Sequence, residues 1–223
     1  MRIRCSSIGG IMTNSRKKGE LSKTTQSAII QMVKEETYGV KSHFSSKQIE
    51  KGLIMEDDAI DLVAKHYGLG MVFKNEDWFQ NGWVTGTPDV ITKATVRDIK
   101  CSWSLDSFPL FDKEVPNKGY YWQLQGYMWL TNRNVAYLDY CLMDTPQHLI
   151  QSEMRKMAFS RGEKELDKRE EEKILKRMIY SNHETELRIK SFKIPRDDEA
   201  IESIKVRVEE CREFYQSLIN QIS

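Results

Sequence analysis

The chain reads as a single α/β domain with a mixed sheet flanked by helices. Helical periodicity runs from about residue 20 to residue 68, and three β-rich stretches separated by turn residues lie between residues 71 and 103. Beyond them come an aromatic helix, a strand and more helices, and this order belongs to an α/β fold. At 223 residues the chain has room for one large domain with a helical extension and a substantial core. A composition of 39% hydrophobic and 30% charged residues, with 5 Pro and 12 Gly, excludes a disordered chain and shows no repeat.

Residues 20–40 are expected to form a helix ending near Gly39. A stronger helix starts around residues 45–50 and ends at Gly68, with an apolar stripe through Ile49, Leu53, Ile60, Val63 and Tyr67. Glu56 falls in the middle of that stripe, while Asp57, Asp58 and Asp61 project to the side or back. A carboxylate at the centre of a buried face is unfavourable unless it is paired, protonated or bound to a cation. Either Glu56 meets a Lys or Arg at the core edge, or the helix is turned so that it reaches solvent, or it serves a cation.

The stretches MVFKNEDWF, WVTGTPDVIT and TVRDIKCSW are expected as strands. With Thr92 and Thr95 flanking a tight turn at Lys93-Ala94, Asp89 stands directly opposite Asp98. Alternation puts Lys100 on the same face as Asp98 and turns Ile99 towards the core. Two like charges so placed repel unless something positive lies between them.

GYYWQLQGYMWL reads as a helix with Gln123 and Tyr127 as neighbours one turn apart, and NVAYLDYCLM as a strand. From 147 to about 190 the chain is mostly helical and strongly charged, and is read as a solvated arm, with a DNA or partner contact as the alternative. After the strand-like SFKIP, the residues Ile201, Ile204, Val208, Cys211, Tyr215 and Leu218 mark a final amphipathic helix over about 197–220. Cys5, Cys101, Cys141 and Cys211 form no C-x-x-C pair, which argues for free thiols over zinc or a disulfide framework. No secretory leader and no membrane-length apolar run is read, so a cytosolic location is expected. The 34 Lys+Arg balance 33 Asp+Glu, and the resulting net charge of +1 lacks the basic footprint of a passive nucleic-acid binder.

Two opposed aspartates, a glutamate on an apolar helix face and a lysine beside one aspartate suit a hard divalent cation. Mg²⁺ or Mn²⁺ prefers one or two carboxylates completed by waters and phosphate oxygens. Such an ion would relieve the repulsion and support phosphodiester hydrolysis. Asp89, Asp98 and Glu56 are the candidate ligands, with the Ile99 backbone carbonyl as a further one. Lys100 is the candidate to orient or deprotonate the attacking water.

These residues resemble the PD-(D/E)XK nuclease superfamily and, within it, the lambda-exonuclease-like viral recombinase family, also called YqaJ-like. Gly52, Glu56 and Ala59 match its helix signature; Pro88, Asp89, Asp98 and Lys100, followed by Cys101, match its hairpin; Gln123 and Tyr127 match its Q-x-x-x-Y helix. The resemblance covers roughly residues 1–145. It implies a restriction-endonuclease-like core, with the charged arm and the last helix as a C-terminal extension. It also implies a Mg²⁺-dependent exonuclease of phage type, acting 5′ to 3′ on one strand of linear double-stranded DNA and supplying an annealing recombinase. Family members that form toroidal trimers suggest an oligomer, and a phage-encoded member would work in the host cytoplasm. Asp89 and Asp98 would bind metal, Glu56 would support it directly or through water, and Gln123 would hold the site or the DNA. Arg4 with Ser6 or Ser7 would contact a terminal phosphate, although a frayed N-terminus is an equal reading; Tyr127 would be a DNA contact or core packing. Many superfamily members carry glutamate where this chain has Asp98. Relatives with an iron–sulfur cluster hold it through clustered cysteines towards the C-terminus, which this chain lacks, so no such cluster is expected. The motif leaves open an endonuclease or junction-cleaving enzyme on the same fold, or a DNA-end-binding module with a vestigial site.

Overall fold

The computed structural model describes residues 1–42 and 45–222. Two segments, β1 (Ile3–Arg4) and α1 (Cys5–Ile11), open the chain and are followed by the long helices α2 (Lys23–Tyr38) and α3 (Lys47–His66). Ser22 and Ser46 cap these helices by accepting the N–H of Thr25 and Ile49, and Gly39 closes α2 in the left-handed conformation at φ 63°. Next come β2 (Phe79–Gln80), β3 (Val84–Gly86), β4 (Val90–Ile91), β5 (Thr95–Cys101), α4 (Lys118–Thr131) and β6 (Val135–Cys141). The chain ends with α5 (Gln147–Ser160), α6 (Lys168–Met178), β7 (Ile189–Pro195) and α7 (Asp198–Ile222).

The strands divide into two mixed sheets, ordered β1-β3-β2 and β4-β5-β6-β7, where one central sheet is expected. The division falls at Thr87-Pro88-Asp89, between β3 and β4. Pro88 has no N–H to continue a ladder, so the GTPD run leaves one sheet and enters the other. Of MVFKNEDWF only Phe79, its last residue, is strand; the β-prone residues before it lie in irregular chain. In the larger sheet β5 and β6 run parallel, joined by the crossover helix α4, and β4 and β7 are antiparallel to their neighbours.

Alternation gives that sheet two distinct faces. Val96, Ala136, Leu138, Phe192 and Ile194 pack beneath α4 and α7 in the main core with Leu124, Met128, Ile204 and Val208. Ile99, Cys141 and Ile189 turn the other way and meet Ala59, Ile60 and Val63 of α3. The C-terminal half of α3 therefore follows the expected stripe. Its N-terminal half does not: Ile49 and Leu53 are exposed, while Lys51 is fully buried. There the covering neighbours change from the sheet to the loop after β5 and Tyr180, so a different side of the helix is covered.

Residues 147–190 are no free arm. Ile150 and Ala158 of α5 pack against Ile174 and Met178 of α6 and against Trp103, while Lys47 of α3 ion-pairs with Glu153 at 2.8 Å. The helices α5 and α6 are separated by the non-helical residues 161–167, and the segment ends in β7, which contains Lys190. The final helix follows its expected face, with Ile201, Ile204, Val208 and Cys211 buried.

Lys51 donates to the Trp103 carbonyl at 3.0 Å and lies between the rings of Trp103 and Tyr180. Burial pulls its ammonium down to about 8. The unfolded chain keeps that proton up to the ordinary lysine value, so stability rises with pH from about 8 to about 10.4. Lys51→Met is expected to abolish this slope and to raise stability at pH 7 by about 1–3 kcal/mol, read from urea midpoints at pH 7 and 9.5. A loss at pH 7 would show that the Trp103 hydrogen bond outweighs the buried charge.

Helices α1 and α4 cross at backbone contact, where a Cβ on Gly9 would stand 2.5 Å from the Gly119 Cα. Gly9→Ala must push the helices apart. It should lower the unfolding free energy by about 1–3 kcal/mol, read as an earlier midpoint in chemical denaturation, and an unchanged midpoint would contradict that packing.

Candidate active site

The hairpin register sets the site. Val90 pairs with Arg97 and Ile91 with Val96, and the Thr92 N–H reaches the Thr95 carbonyl at 2.9 Å. Continued by one residue, this register puts Asp89 opposite Asp98 in a non-hydrogen-bonded pair, the kind whose side chains lie closest. The next pair is Pro88 with Ile99. Proline offers no N–H to the Ile99 carbonyl, and the Ile99 N–H turns to Asp89 Oδ2 at 2.6 Å. Asn75 secures the other edge, giving its N–H to the Asp89 carbonyl at 2.7 Å and its Nδ2 to the Pro88 carbonyl at 3.0 Å.

Asp98 is 1% exposed. Its Oδ1 accepts from Gln123 Nε2 at 2.8 Å, and the same nitrogen donates to the Tyr127 hydroxyl at 3.0 Å. Its Oδ2 lies 2.5 Å from Lys100 Nζ without hydrogen-bond geometry and has no hydrogen-bond partner among the described residues. Lys100 also lies over the Tyr120 ring at 5.1 Å. Burial first, and then the charge of Asp98, push the Asp89 carboxyl up to about 8; Lys100 and the Ile99 N–H oppose this and do not prevail. Burial disfavours the Lys100 ammonium, but Asp98 and Asp89 outweigh it and hold its pKa above the ordinary lysine value.

Three expected site residues thus converge on one face: Asp89, Asp98 and Lys100. Glu56 comes from α3, near enough for its charge to act on Asp89, but its Oε2 is taken by Lys74 at 2.6 Å. The pairing reading of Glu56 holds here, with a lysine that the sequence did not single out. Gln123 is a buried positioning residue for Asp98, not a DNA-facing side chain. Of its two readings, DNA contact and core packing, Tyr127 takes the second: it is 5% exposed and packs where a Cβ on Gly86 would stand 2.7 Å from its ring. Arg4 and Ser6 are exposed and Ser7 is half-buried around the start of α1, which is ordered helix and not a frayed end. Lys74, Asn75 and Tyr120 escaped the sequence reading. Only Asn75 carried a signal, as the Asx-turn residue of KNED, where its Oδ1 accepts the Asp77 N–H.

The donors present fit a hard divalent cation. They are two carboxylates whose mutual repulsion Lys100 only partly offsets, a carboxylate oxygen without a hydrogen bond, and a carbonyl facing a proline. Among the described residues no three His, Cys, Asp or Glu side chains come together to hold one ion. The protein side of the site is then two carboxylates and one carbonyl, with the remaining positions for water and phosphate, as Mg²⁺ prefers. The thiols are placed elsewhere: Cys5, Cys141 and Cys211 are buried singly, and Cys101 points its Sγ at the Met55 carbonyl.

No family model and no curated protein matches the chain. A solved structure of a phage-related exonuclease from Haemophilus somnus 129PT matches with a TM-score of 0.84 at 30% identity, over 100% of this chain and 97% of that one. The chain belongs to the lambda-exonuclease-like family. The alkaline exonuclease LHK-Exo from Laribacter hongkongensis shares the fold at 14% identity with a TM-score of 0.68, over 99% of this chain and 91% of its own. Its complex with dAMP matches with a TM-score of 0.67. Family membership assigns this lambda-exonuclease-like chain nuclease chemistry, and the paired aspartates with Lys100 are where that chemistry is sought. No helix among the described residues is long and apolar enough to cross a membrane.

A raised carboxylate pKa has a definite linkage. Between about pH 4 and 8 the folded, metal-free protein keeps a proton on Asp89 that the unfolded chain has released, so stability falls as pH rises through that window. Mg²⁺ would take the ionised pair. Its stabilising shift in melting temperature should therefore grow from pH 6 to pH 9 and vanish in Asp89→Asn, as followed by differential scanning fluorimetry. An equal shift at both pH values, or one retained in Asp89→Asn, would remove Asp89 from the metal site.

Proposed function

We propose that the protein is a Mg²⁺-dependent DNA exonuclease that hydrolyses one strand of linear duplex from its end, 5′ to 3′, in phage-type recombination. The supporting observation is the buried Asp89–Asp98 pair, with one Asp98 oxygen that accepts no hydrogen bond and lies against Lys100. A bound divalent cation, Mg²⁺ or Mn²⁺, would polarise a phosphoryl oxygen and acidify a water.

The remaining roles belong to side chains. Asp89 and Asp98 hold the ion, with the Ile99 carbonyl alongside. Gln123 fixes the Asp98 rotamer, and Tyr127 fixes Gln123. Lys100 is held protonated beside Asp98, and as an ammonium it would hold negative charge at the phosphate; with a cation sharing the carboxylate charge, it could give its proton to solvent and the neutral amine could then take one from the attacking water. Glu56 is held back by Lys74, and its service to the metal, direct or through water, requires that ion pair to open.

The exonuclease reading is favoured over cleavage at internal sites by the relatives, which are exonucleases by name, one of them solved with dAMP. A deoxynucleoside monophosphate is what stepwise hydrolysis from an end releases. Delivery of the remaining strand to an annealing recombinase, and assembly into an oligomer that encloses the duplex, belong to the same reading.

Purified protein with Mg²⁺ should consume linear duplex and leave covalently closed circles intact, with end-labelled substrates reporting the 5′ to 3′ direction. Lys100→Ala should lower the cleavage rate about 10²–10⁴-fold while binding duplex, measured in EDTA, much as the wild type does. Lys100→Arg keeps the charge but cannot give up its proton; recovery of activity in that variant would assign Lys100 an electrostatic role. Nicking of circles would favour an endonuclease, and no cleavage with either metal would overturn the reading.

A further inference from the structure

The face of the sheet that carries the paired aspartates does not stop at β5. Register places Lys100, Tyr140 and Lys190 in one row across β5, β6 and β7, and Asp98, Leu138 and Phe192 in the row beside it. Tyr140 and Phe192 are buried, 9% and 6% exposed, and form the floor beneath this row; above it the half-buried Tyr120 lies under Lys100 at 5.1 Å, and Lys190 lies over Phe192 at 5.5 Å. Two strand spacings separate Lys100 from Lys190, about 10 Å, or about three nucleotides of a stacked strand.

At the end of that row, β7 is the outer strand of its sheet and borders a groove of about 800 Å³. The loop from Phe111 to Lys118 and the start of α4 form the opposite wall. Lys113, Lys118, Lys190 and Lys193 line it against two carboxylates, Asp112 and Glu114. Phe111 is 89% exposed, too much for a packing role. Trp122 is half-buried against the edge of Tyr121, whose hydroxyl donates to Asp197 at 2.7 Å and steadies the pair.

Aromatic faces interleaved with lysines match one ligand chemistry. Phosphates meet the ammonium groups and unpaired bases meet the rings, whereas a duplex keeps its base faces stacked away. We propose that this groove holds the single-stranded stretch of DNA adjoining the scissile phosphate, with bases on Phe111 and Trp122 and phosphates on Lys118, Lys190 and Lys193. This rests on the nuclease reading of the Asp89–Asp98 site, and the start of α4 joins the two, with Tyr120 against Lys100 at the site and Lys118, Tyr121 and Trp122 in the wall of the groove.

The test is binding without cleavage. In EDTA, a fluorescein-labelled oligothymidylate of about 12 nucleotides is titrated with protein and followed by anisotropy. Trp122→Ala and Phe111→Ala should each weaken binding about tenfold. Lys118→Gln combined with Lys193→Gln should reduce the slope of log affinity against log salt by about 1.4, or 0.7 for each lost phosphate contact. Phe111 is so exposed that its replacement leaves folding intact, which the melting temperature verifies. Wild-type affinity and salt slope in all variants would overturn the proposal, as would sedimentation showing that Phe111→Ala dissociates an oligomer, because the groove would then be a subunit contact. Wild-type digestion of linear duplex, run beside these titrations, separates the cases: with digestion intact only the groove fails, and without it the nuclease reading fails.

Discussion

The repulsion between two carboxylates locked face to face is the constraint to which the centre of this molecule answers. Asp89 and Asp98 cannot separate, because β4 and β5 are hydrogen-bonded on either side of a turn that fixes their register. Water cannot relieve Asp98, which is almost wholly enclosed. A single lysine reaches it, and that lysine is itself crowded by protein. The surrounding contacts follow from this arrangement. Gln123 takes one oxygen of Asp98, the Ile99 N–H takes one oxygen of Asp89, and Asn75 holds the strand from behind.

Pro88 makes the arrangement possible. An ordinary residue there would complete the ladder with Ile99 and consume both of its backbone groups. With proline the Ile99 carbonyl loses its donor and is left facing the site, while the Ile99 N–H goes to the Asp89 carboxylate and the Pro88 carbonyl accepts from Asn75 instead. The same missing donor ends the continuity between the two sheets, so one residue both divides the architecture and opens the edge where a cation and a phosphate would enter. Gly86, two residues earlier, lets the chain pass against Tyr127, and Tyr127 in turn steadies Gln123.

The hairpin was legible from sequence because its information is local. Thr92 and Thr95 pin the turn, their hydroxyls 2.9 Å apart, and period-2 alternation then assigns every face. Helix ends were legible for the same reason, at Gly39, Ser46 and Gly68. What escaped depends on partners distant in the chain. The ion pair that occupies Glu56 comes from Lys74, eighteen positions on and in irregular chain, where no periodicity announces it. Nor does the pattern of α3 reveal that its covering surface changes halfway, burying Lys51 and exposing Leu53. In α6 the inward face is reduced to residues such as Ile174 and Met178, so charge concealed an element that packs.

Lys100 joins the static picture to the chemical one. Its position does not need to change for its function to change. Beside Asp98 the proton is held firmly, and the lysine acts as the counter-ion of that buried carboxylate. On the proposed reading, a cation that took over the carboxylates would weaken the hold on that proton, and once it had passed to solvent the amine could serve as base. The Tyr120 ring lies against that ammonium at 5.1 Å. On that reading a lysine suits the position two residues beyond Asp98 better than an arginine, which could balance the charges in the first state but could not give up its proton in the second.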